Sequence, residues 1–212
     1  MNPVSYSAGS KAIVDAFDAL PDAQKNGAYW GEIPVNPVRS EIKEHYIKEQ
    51  HFKCVYCDRQ IATANHSLWD AEHIVSRNAA PRFMFTPENL AVACRDCNNA
   101  KREHEVRRNK NRKSFPNKSE HYIIFHAHYD VYQEHIRWFG DICVPVSKKG
   151  THTLIACDLT RFTAELLGID GIINDPAFDQ QVGQLMKAKS KIEAQAQLAA
   201  ITVYVENIPQ AP

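Results

Sequence analysis

The sequence predicts an α+β protein in which a small core, held together by four cysteines, is flanked by mainly helical segments. Two Cys-x-x-Cys pairs, Cys54/Cys57 and Cys94/Cys97, enclose a segment that reads as a strand followed by a loop. Apolar residues at helical spacing precede this segment. Short apolar runs, which predict a β-hairpin, and then a long amphipathic stretch follow it. A stapled core with helices on both sides is therefore the expected architecture.

Composition limits the class of protein. The chain has 212 residues, of which 44% are apolar, so it can bury a substantial core. Its 25 basic residues balance 25 acidic ones, so the whole molecule has no general attraction for nucleic acid. No apolar run approaches the roughly 20 residues needed to cross a membrane, and no secretory signal is evident. We therefore expect a soluble, cytoplasmic protein without a membrane partner.

The four cysteines predict a structural zinc site. Two residues between cysteines allow a tight turn to direct both thiolates at one ion, and two such pairs complete a tetrahedral site. The 36 residues between Cys57 and Cys94 exceed the roughly 15 to 20 of a common zinc ribbon, which indicates an insertion between the pairs. Disulfides are the alternative, but a reducing cytosol favours zinc. Cys143 and Cys157 lie in apolar runs and are expected to be buried.

The segment between the cysteine pairs predicts a strand, a loop and a helix. Residues 68–77 begin as a strand that ends at His73. Thr86 followed by Pro87 predicts a helix start, with the threonine as N-cap and the proline in the first turn. Residues 95–106 contain no proline or glycine and many good helix formers, so a further helix is expected to begin near the last cysteine pair.

These elements carry a pattern that resembles the HNH family of ββα-metal endonucleases, over about residues 40 to 105. The pattern consists of an acid–histidine pair, an asparagine–leucine pair and a Cys-x-x-Cys-Asn-x-x-Lys run: Glu72-His73, Asn89-Leu90 and Cys94 to Lys101. The resemblance implies a ββα-metal core and metal-dependent hydrolysis of phosphodiester bonds in DNA.

The resemblance also implies a role for each site residue. His73 would be the general base, a role that neutral imidazole suits near pH 7. Glu72 would hold one magnesium or manganese ion, and Asn89 would orient the histidine loop. Asn98 replaces the family's final histidine, as in H-N-N variants, and its amide oxygen suits magnesium or manganese better than zinc or nickel. The alternative is that Glu72 and His73 serve only structure and that Asn98 caps a helix.

A local excess of basic residues predicts contact with nucleic acid. Residues 101–113 contain seven lysines and arginines against two glutamates. We expect phosphate contacts, largely independent of base sequence, from four of them: Lys101, Arg102, Arg107 and Arg108. A solvated basic segment without a ligand is the alternative.

Three regions are predicted along the chain. Residues 1–39 form an N-terminal helical segment with a helix near 12–20 and a proline-containing connector. Residues 40–118 form the nuclease core, which opens with a helix over 40–49. Residues 119–212 form an extension.

The extension contains several expected features. Its histidines, His126, His128 and His135, suit an aromatic packing surface better than a second metal site. Residues 136–146 and 151–158 predict the two strands of a hairpin, and residues 175–208 predict one long amphipathic helix.

The sequence therefore favours a metal-dependent DNA endonuclease with structural Zn²⁺ and catalytic Mg²⁺ or Mn²⁺. The extension, including Leu159–Phe162, resembles one carried by HNH effectors of Septu-like or retron-linked anti-phage systems, which implies an ATPase partner. Two alternatives stay open: a non-catalytic zinc module that binds nucleic acid or protein, and an RNA-directed nuclease with the same site. The oligomeric state is also open.

Overall fold

The protein is described by a computed structural model that covers residues 1–167 and 176–206. Mixed helices and small sheets make up an α+β architecture. The helices are α1 (Ala8–Asp18), α2 (Asn36–Glu49), α3 (Arg95–Lys101), α4 (Lys148–Ala156), α5 (Arg161–Leu167), α6 (Pro176–Lys187) and α7 (Lys191–Glu206). The strands are β1 (Asp70–His73), β2 (Leu90–Ala93), β3 (Ile136–Phe139) and β4 (Ile142–Pro145).

Both N-terminal helices form where helical spacing predicted them, but each begins about four residues earlier than expected. Ser7 caps α1 by accepting a hydrogen bond from the backbone N–H of Ser10. Pro37 was expected in a connector, yet it lies in the first turn of α2. A proline fits there because its missing N–H would have no partner within the helix.

The central sheet consists of β1 and β2, which pair antiparallel with Asp70 opposite Ala93 and His73 opposite Leu90. Helix α3 follows β2 directly. The predicted helix start at Thr86 is wrong, because only a single 3₁₀ turn, Pro87–Asn89, precedes the strand. The four residues of β2 are all buried and pair with β1, so tertiary pairing overrides the local signal for a helix start.

Helix α3 is shorter than the predicted 95–106. It ends at Lys101 because Arg102 has a φ of +42°, a left-handed conformation that cannot continue a helix.

Strand β2 separates two hydrophobic cores. Leu90 and Val92 pack into the first core with the side chains of α1 and α2. Ala91 and Ala93 point to the opposite face and join the second core, which contains both cysteine pairs and residues of the extension. Successive side chains on a strand alternate between faces, so one short strand serves both cores. The three-region division at 39/40 and 118/119 stays a prediction.

The extension differs from the predicted hairpin. Strand β3 pairs antiparallel with β4, so both strands lie within the single predicted strand 136–146. Gly140, with a φ of +61°, begins the two-residue turn between them. Residues 151–158, predicted as a strand, lie mostly in α4, because Ser147 caps this helix by accepting from the N–H of Gly150.

The predicted long tail helix is wrong within the described residues, since α6 and α7 are separate. Ser190 accepts a hydrogen bond from the N–H of Glu193, and the Glu193 carboxylate accepts one from the N–H of Lys189. This reciprocal capping begins a new helix and interrupts the old one. Residues 175, 207 and 208 of the predicted helix lie outside the described residues. None of the described helices has the length and apolar content to cross a membrane.

Gly150 provides a test of this packing. A Cβ atom at Gly150 would lie 1.8 Å from the backbone oxygen of His135, so Gly150→Ala should lower the free energy of unfolding by about 2 kcal/mol or more. The matched control is Gly9→Ala in α1, where a Cβ atom would meet nothing within 4 Å. This substitution should raise the free energy of unfolding by up to about 1 kcal/mol. Chemical denaturation measures both. Equal stability of the two variants would contradict the close approach of α4 to His135.

Candidate active site

The two cysteine pairs meet at one point. Cys54 and Cys57 follow α2, and Cys94 and Cys97 lie at the start of α3; their four sulfur atoms lie within 4.8 Å of one another. The sulfurs of Cys57 and Cys94 are 4.0 Å apart, close to the roughly 3.8 Å edge of a tetrahedron with zinc–sulfur bonds of about 2.3 Å. The cysteines are free rather than disulfide-bonded. This sulfur set fits a structural zinc ion, with no position for a substrate.

A polar cleft of about 460 Å³ lies beside this cluster, between β1 and α3. It brings together three of the predicted site residues, Glu72, His73 and Asn98. Arg77 and Arg102 also line it. A second cleft of about 520 Å³ lies between β3 and the start of α7, away from these residues. The smaller cleft is the candidate active site because it contains the titratable and amide side chains.

His73 is held in a defined state. Its ring is buried, Trp30 packs edge-on against it with 4.5 Å between ring centroids, and its Nε2 lies 3.0 Å from the carbonyl oxygen of Met84. A carbonyl only accepts, so Nε2 carries the proton and Nδ1 is the basic nitrogen. Burial, together with the positive charges of Arg77 and Lys101, lowers the pKa of His73 to about 3. The imidazole is therefore neutral at physiological pH.

Glu72 is fixed by two donors on one oxygen. The ammonium of Lys101 lies 2.6 Å from Oε1, and the Tyr56 hydroxyl donates to the same oxygen at 2.8 Å. Lys101 also donates to the backbone oxygen of His73 at 3.0 Å. All three side chains, Glu72, Lys101 and Tyr56, are at most 3% exposed. Tyr56 belongs to the first cysteine pair, so the cysteine cluster and the acid are joined by a single hydrogen bond.

Asn98 and Asp70 connect α3 to β1. The Asn98 amide nitrogen donates to Oδ2 of Asp70 at 2.8 Å. This bond uses the amide N–H and leaves the amide oxygen of Asn98 as an acceptor. Asp70 lies two residues before Glu72 and therefore on the same face of β1. Asp70 was not among the predicted site residues, although its two-residue spacing from Glu72 was the available signal.

Asn89 acts on the loop after His73 rather than on the imidazole. Its side-chain oxygen accepts from the N–H of Val75 at 2.7 Å, and its amide nitrogen donates to the carbonyls of Val75 and Phe83 at 3.0 Å each. Asn89 is fully buried. It therefore holds the loop whose Met84 carbonyl orients His73.

The four predicted phosphate-binding residues lie in different environments. Lys101 is fully buried in its contact with Glu72, and Arg107 is 5% exposed and forms two hydrogen bonds to the Glu105 carboxylate. Arg102 and Arg108 are exposed. Phosphate contact by these two exposed arginines stays a prediction. Lys101 and Arg107 already have carboxylate partners.

The histidines of the extension make packing and hydrogen-bond contacts, and the backbone N–H of His128 donates to Nδ1 of His126 at 3.3 Å. His126 stacks on Tyr129 with 4.4 Å between ring centroids. His128 contacts the carbonyl of Leu90 at 2.9 Å, and His135 contacts the hydroxyl of Ser147 at 2.7 Å. Over residues 1–167 and 176–206, the four cysteines are the one group of three or more His, Cys, Asp or Glu residues positioned to hold a metal.

Comparison with known proteins identifies the central segment. A family model described as HNH endonuclease matches residues 54–104. The match begins at the first cysteine and includes β1, β2 and α3. No curated protein and no solved structure matches the chain. The matched segment indicates a nuclease domain, and HNH nucleases act on nucleic acid with divalent metals.

The buried neutral state of His73 predicts a pH dependence of stability. Between about pH 3 and 6.5 the unfolded chain binds a proton at His73 that the folded chain does not. Stability therefore falls as the pH decreases through this window, by about 2 kcal/mol between pH 7 and pH 5 from this residue alone.

His73→Gln should remove that part of the pH dependence. Denaturant unfolding of the wild type and the variant at both pH values measures it. The matched control, His104→Gln at an exposed position, should keep the wild-type slope. An unchanged slope in His73→Gln would show that His73 is not buried as a neutral ring.

Proposed function

We propose that this protein is a metal-dependent endonuclease that hydrolyses phosphodiester bonds in DNA in the cleft between β1 and α3. The observation that carries the proposal is the state of His73, a neutral imidazole with Nε2 bound to the Met84 carbonyl and Nδ1 as the basic nitrogen. Glu72 and Asn98 line the same cleft. The HNH endonuclease match over residues 54–104 supports the same reaction.

His73 would remove the proton from the water that attacks the scissile phosphorus. The hydrogen bond to Met84 fixes the ring. The Asn89 side chain accepts one hydrogen bond and donates two, and these fix the loop that carries Met84. The base is therefore positioned by backbone contacts that do not depend on substrate. General-base catalysis of this kind contributes about 10² to 10⁴ in rate.

The oxygen atoms in the cleft fit a hard divalent cation. Both donors to Glu72 occupy Oε1, so Oε2 is the oxygen we assign to Mg²⁺ or Mn²⁺, together with the amide oxygen of Asn98. When bound, the ion would stabilise negative charge on the transition state and the leaving 3′ oxygen. Lys101 offsets part of the Glu72 charge, so we expect weak affinity for the free ion.

Arginines at the edge of the cleft would bind the phosphates on either side of the scissile bond. Arg77 and Arg102 both line the cleft, and Arg102 is exposed. Phosphate contacts position the nucleic acid without reading its sequence. Because the chain has no net charge, this local charge is what would attract DNA.

One observation favours the second candidate, a non-catalytic zinc module. The buried ion pair of Glu72 with Lys101 is a complete structural interaction that requires no metal. In that case Glu72 would support folding, and binding to nucleic acid would survive removal of His73.

Supercoiled plasmid cleavage in Mg²⁺ or Mn²⁺ at low salt tests the reaction. We expect nicking that EDTA abolishes and that His73→Ala lowers by about 100-fold or more. The matched control is His104→Ala, which removes an exposed histidine from the same segment and should cleave at the wild-type rate.

The other outcomes separate the alternatives. Cleavage of RNA but not of plasmid would assign an RNA substrate. Binding without cleavage of either, by a folded protein that contains zinc, would favour the non-catalytic module.

We further propose that the protein is the effector of an anti-phage system and acts with an ATPase. The support is the resemblance of the extension that includes Leu159–Phe162 to that of defence-associated HNH proteins. Co-expression with an ATPase encoded beside it should yield a complex on size-exclusion chromatography and nucleotide-dependent cleavage. Separate elution, with cleavage indifferent to the ATPase, would contradict this assignment without affecting the nuclease.

A further inference from the structure

We propose that Arg161, in the extension, is part of the zinc centre: its guanidinium donates to the sulfur of Cys97 and offsets the negative charge of the four thiolates. The inference rests on zinc binding by the cysteine cluster and does not require nuclease activity. Arg161 lies outside residues 54–104, so the family match does not include it.

Two backbone carbonyls and an aromatic ring hold the Arg161 guanidinium in the orientation that contacts the sulfur. Nη1 donates to the carbonyl oxygens of Cys157 and Asp158 at 2.7 and 2.6 Å. The guanidinium also lies over the ring of Phe162, 4.2 Å from its centroid. These contacts direct Nη2 at the sulfur of Cys97, with a distance of 3.2 Å. The geometry is that of a charge-assisted hydrogen bond to a thiolate.

The hydrogen bond from Arg161 to Cys97 would offset the negative charge of the zinc–thiolate group. A zinc ion with four thiolates carries about two net negative charges. Cys54, Cys57 and Cys97 are each at most 2% exposed, so this charge is largely removed from water. A buried charge is costly unless it is paired and hydrogen-bonded. The backbone N–H of Cys94 donates to Cys54, but Arg161 provides a full positive charge.

The extension contacts the first cysteine pair as well. The hydroxyl of Tyr132 donates to the backbone oxygen of Tyr56 at 2.7 Å. Tyr132 in turn accepts from the indole N–H of Trp138 at 3.0 Å. The extension therefore contacts both cysteine pairs, one through the backbone and the other through a ligand sulfur. Zinc retention should depend on residues outside the matched nuclease segment.

The chain offers a matched control for Arg161. The guanidinium of Arg59 lies over the same Phe162 ring, 3.8 Å from its centroid, but its ion-pair partner is Asp141. Arg59→Gln removes an arginine stacked on Phe162 without removing the donor to Cys97. Arg161→Gln removes both the stacking and the donor. A difference between the two variants isolates the contact with sulfur.

Zinc release from the full chain to a chromogenic chelator is the first measurement. The wild type should contain one zinc per chain. Arg161→Gln should release zinc about tenfold faster, a typical effect of losing a partner of a metal ligand. Arg59→Gln should release zinc at a rate close to that of the wild type. Arg161→Lys, which keeps the charge but not the fork of donors, should fall between the wild type and Arg161→Gln.

A spectrum of the cobalt-substituted protein separates a bond to sulfur from general loosening. A hydrogen bond lowers the energy of the sulfur electrons, so the thiolate-to-cobalt absorption band should move to longer wavelength in Arg161→Gln and stay unchanged in Arg59→Gln. If Arg161→Gln does not fold, Arg161→Lys should show a smaller shift in the same direction.

Three results would overturn the proposal: wild-type release and spectrum in the Arg161 variants, equal effects of Arg59→Gln and Arg161→Gln, or a wild-type chain that holds no zinc. Absence of DNA cleavage by a zinc-loaded chain contradicts the proposed nuclease and leaves this inference standing, because neither measurement uses cleavage.

Discussion

The convergence of four cysteines on one point is the constraint on which the rest of the structure depends. The pairs are separated by 36 residues, and the chain between them forms β1, the histidine loop and β2. Once Cys54 and Cys94 are held together, the N–H of Val55 can bond to the carbonyl of Val92, and Tyr56 can reach Glu72. The cysteine cluster therefore also places the carboxylate of the cleft, and a zinc ion bound there would do so without taking part in the proposed chemistry.

The positive charges near the cleft have two opposing effects: they attract phosphate, and they weaken His73 as a base. Arg77 lines the cleft and favours phosphate, but its charge and that of the buried Lys101 lower the pKa of His73. A base with a pKa of about 3 is weak, although it is fully deprotonated at neutral pH. A phosphate entering the cleft adds negative charge beside the ring, which opposes the two cations and raises the pKa of His73. A divalent cation on Glu72 would act in the opposite direction, so the balance of the two charges would set the strength of the base.

The sequence predicted the features that depend on local spacing. The spacing within each Cys-x-x-Cys pair, the strand that ends at His73 and the start of α3 follow from neighbouring residues, and the structure contains them. The helix predicted from Thr86-Pro87 is wrong because these two residues begin a single 3₁₀ turn as readily as a helix. The pairing of β2 with β1 decides between the two. The break before α7 carried a readable signal, the Ser-x-x-Glu sequence at Ser190.

Long-range features could not be predicted from the sequence. Lys101 has helical spacing and charge that suit a surface residue, and only the approach of Glu72 from β1 makes its burial favourable. Asp70 shows no special pattern until α3 brings Asn98 to it. Residues 101–113 contain seven basic residues against two glutamates, but the charge count does not show that Glu105 pairs with Arg107.

The short matched segment contains the proposed reactive groups, but residues outside it create their environment. Trp30, from the N-terminal region, covers His73, and β2 is buried between a core built on α1 and α2 and a core shared with the extension. Without these layers water would reach the imidazole, and its pKa would return toward the ordinary value, because burial is the largest cause of the shift. The protonation state of the proposed base is therefore a property of the surrounding fold, whereas the identity of the base is a property of the motif.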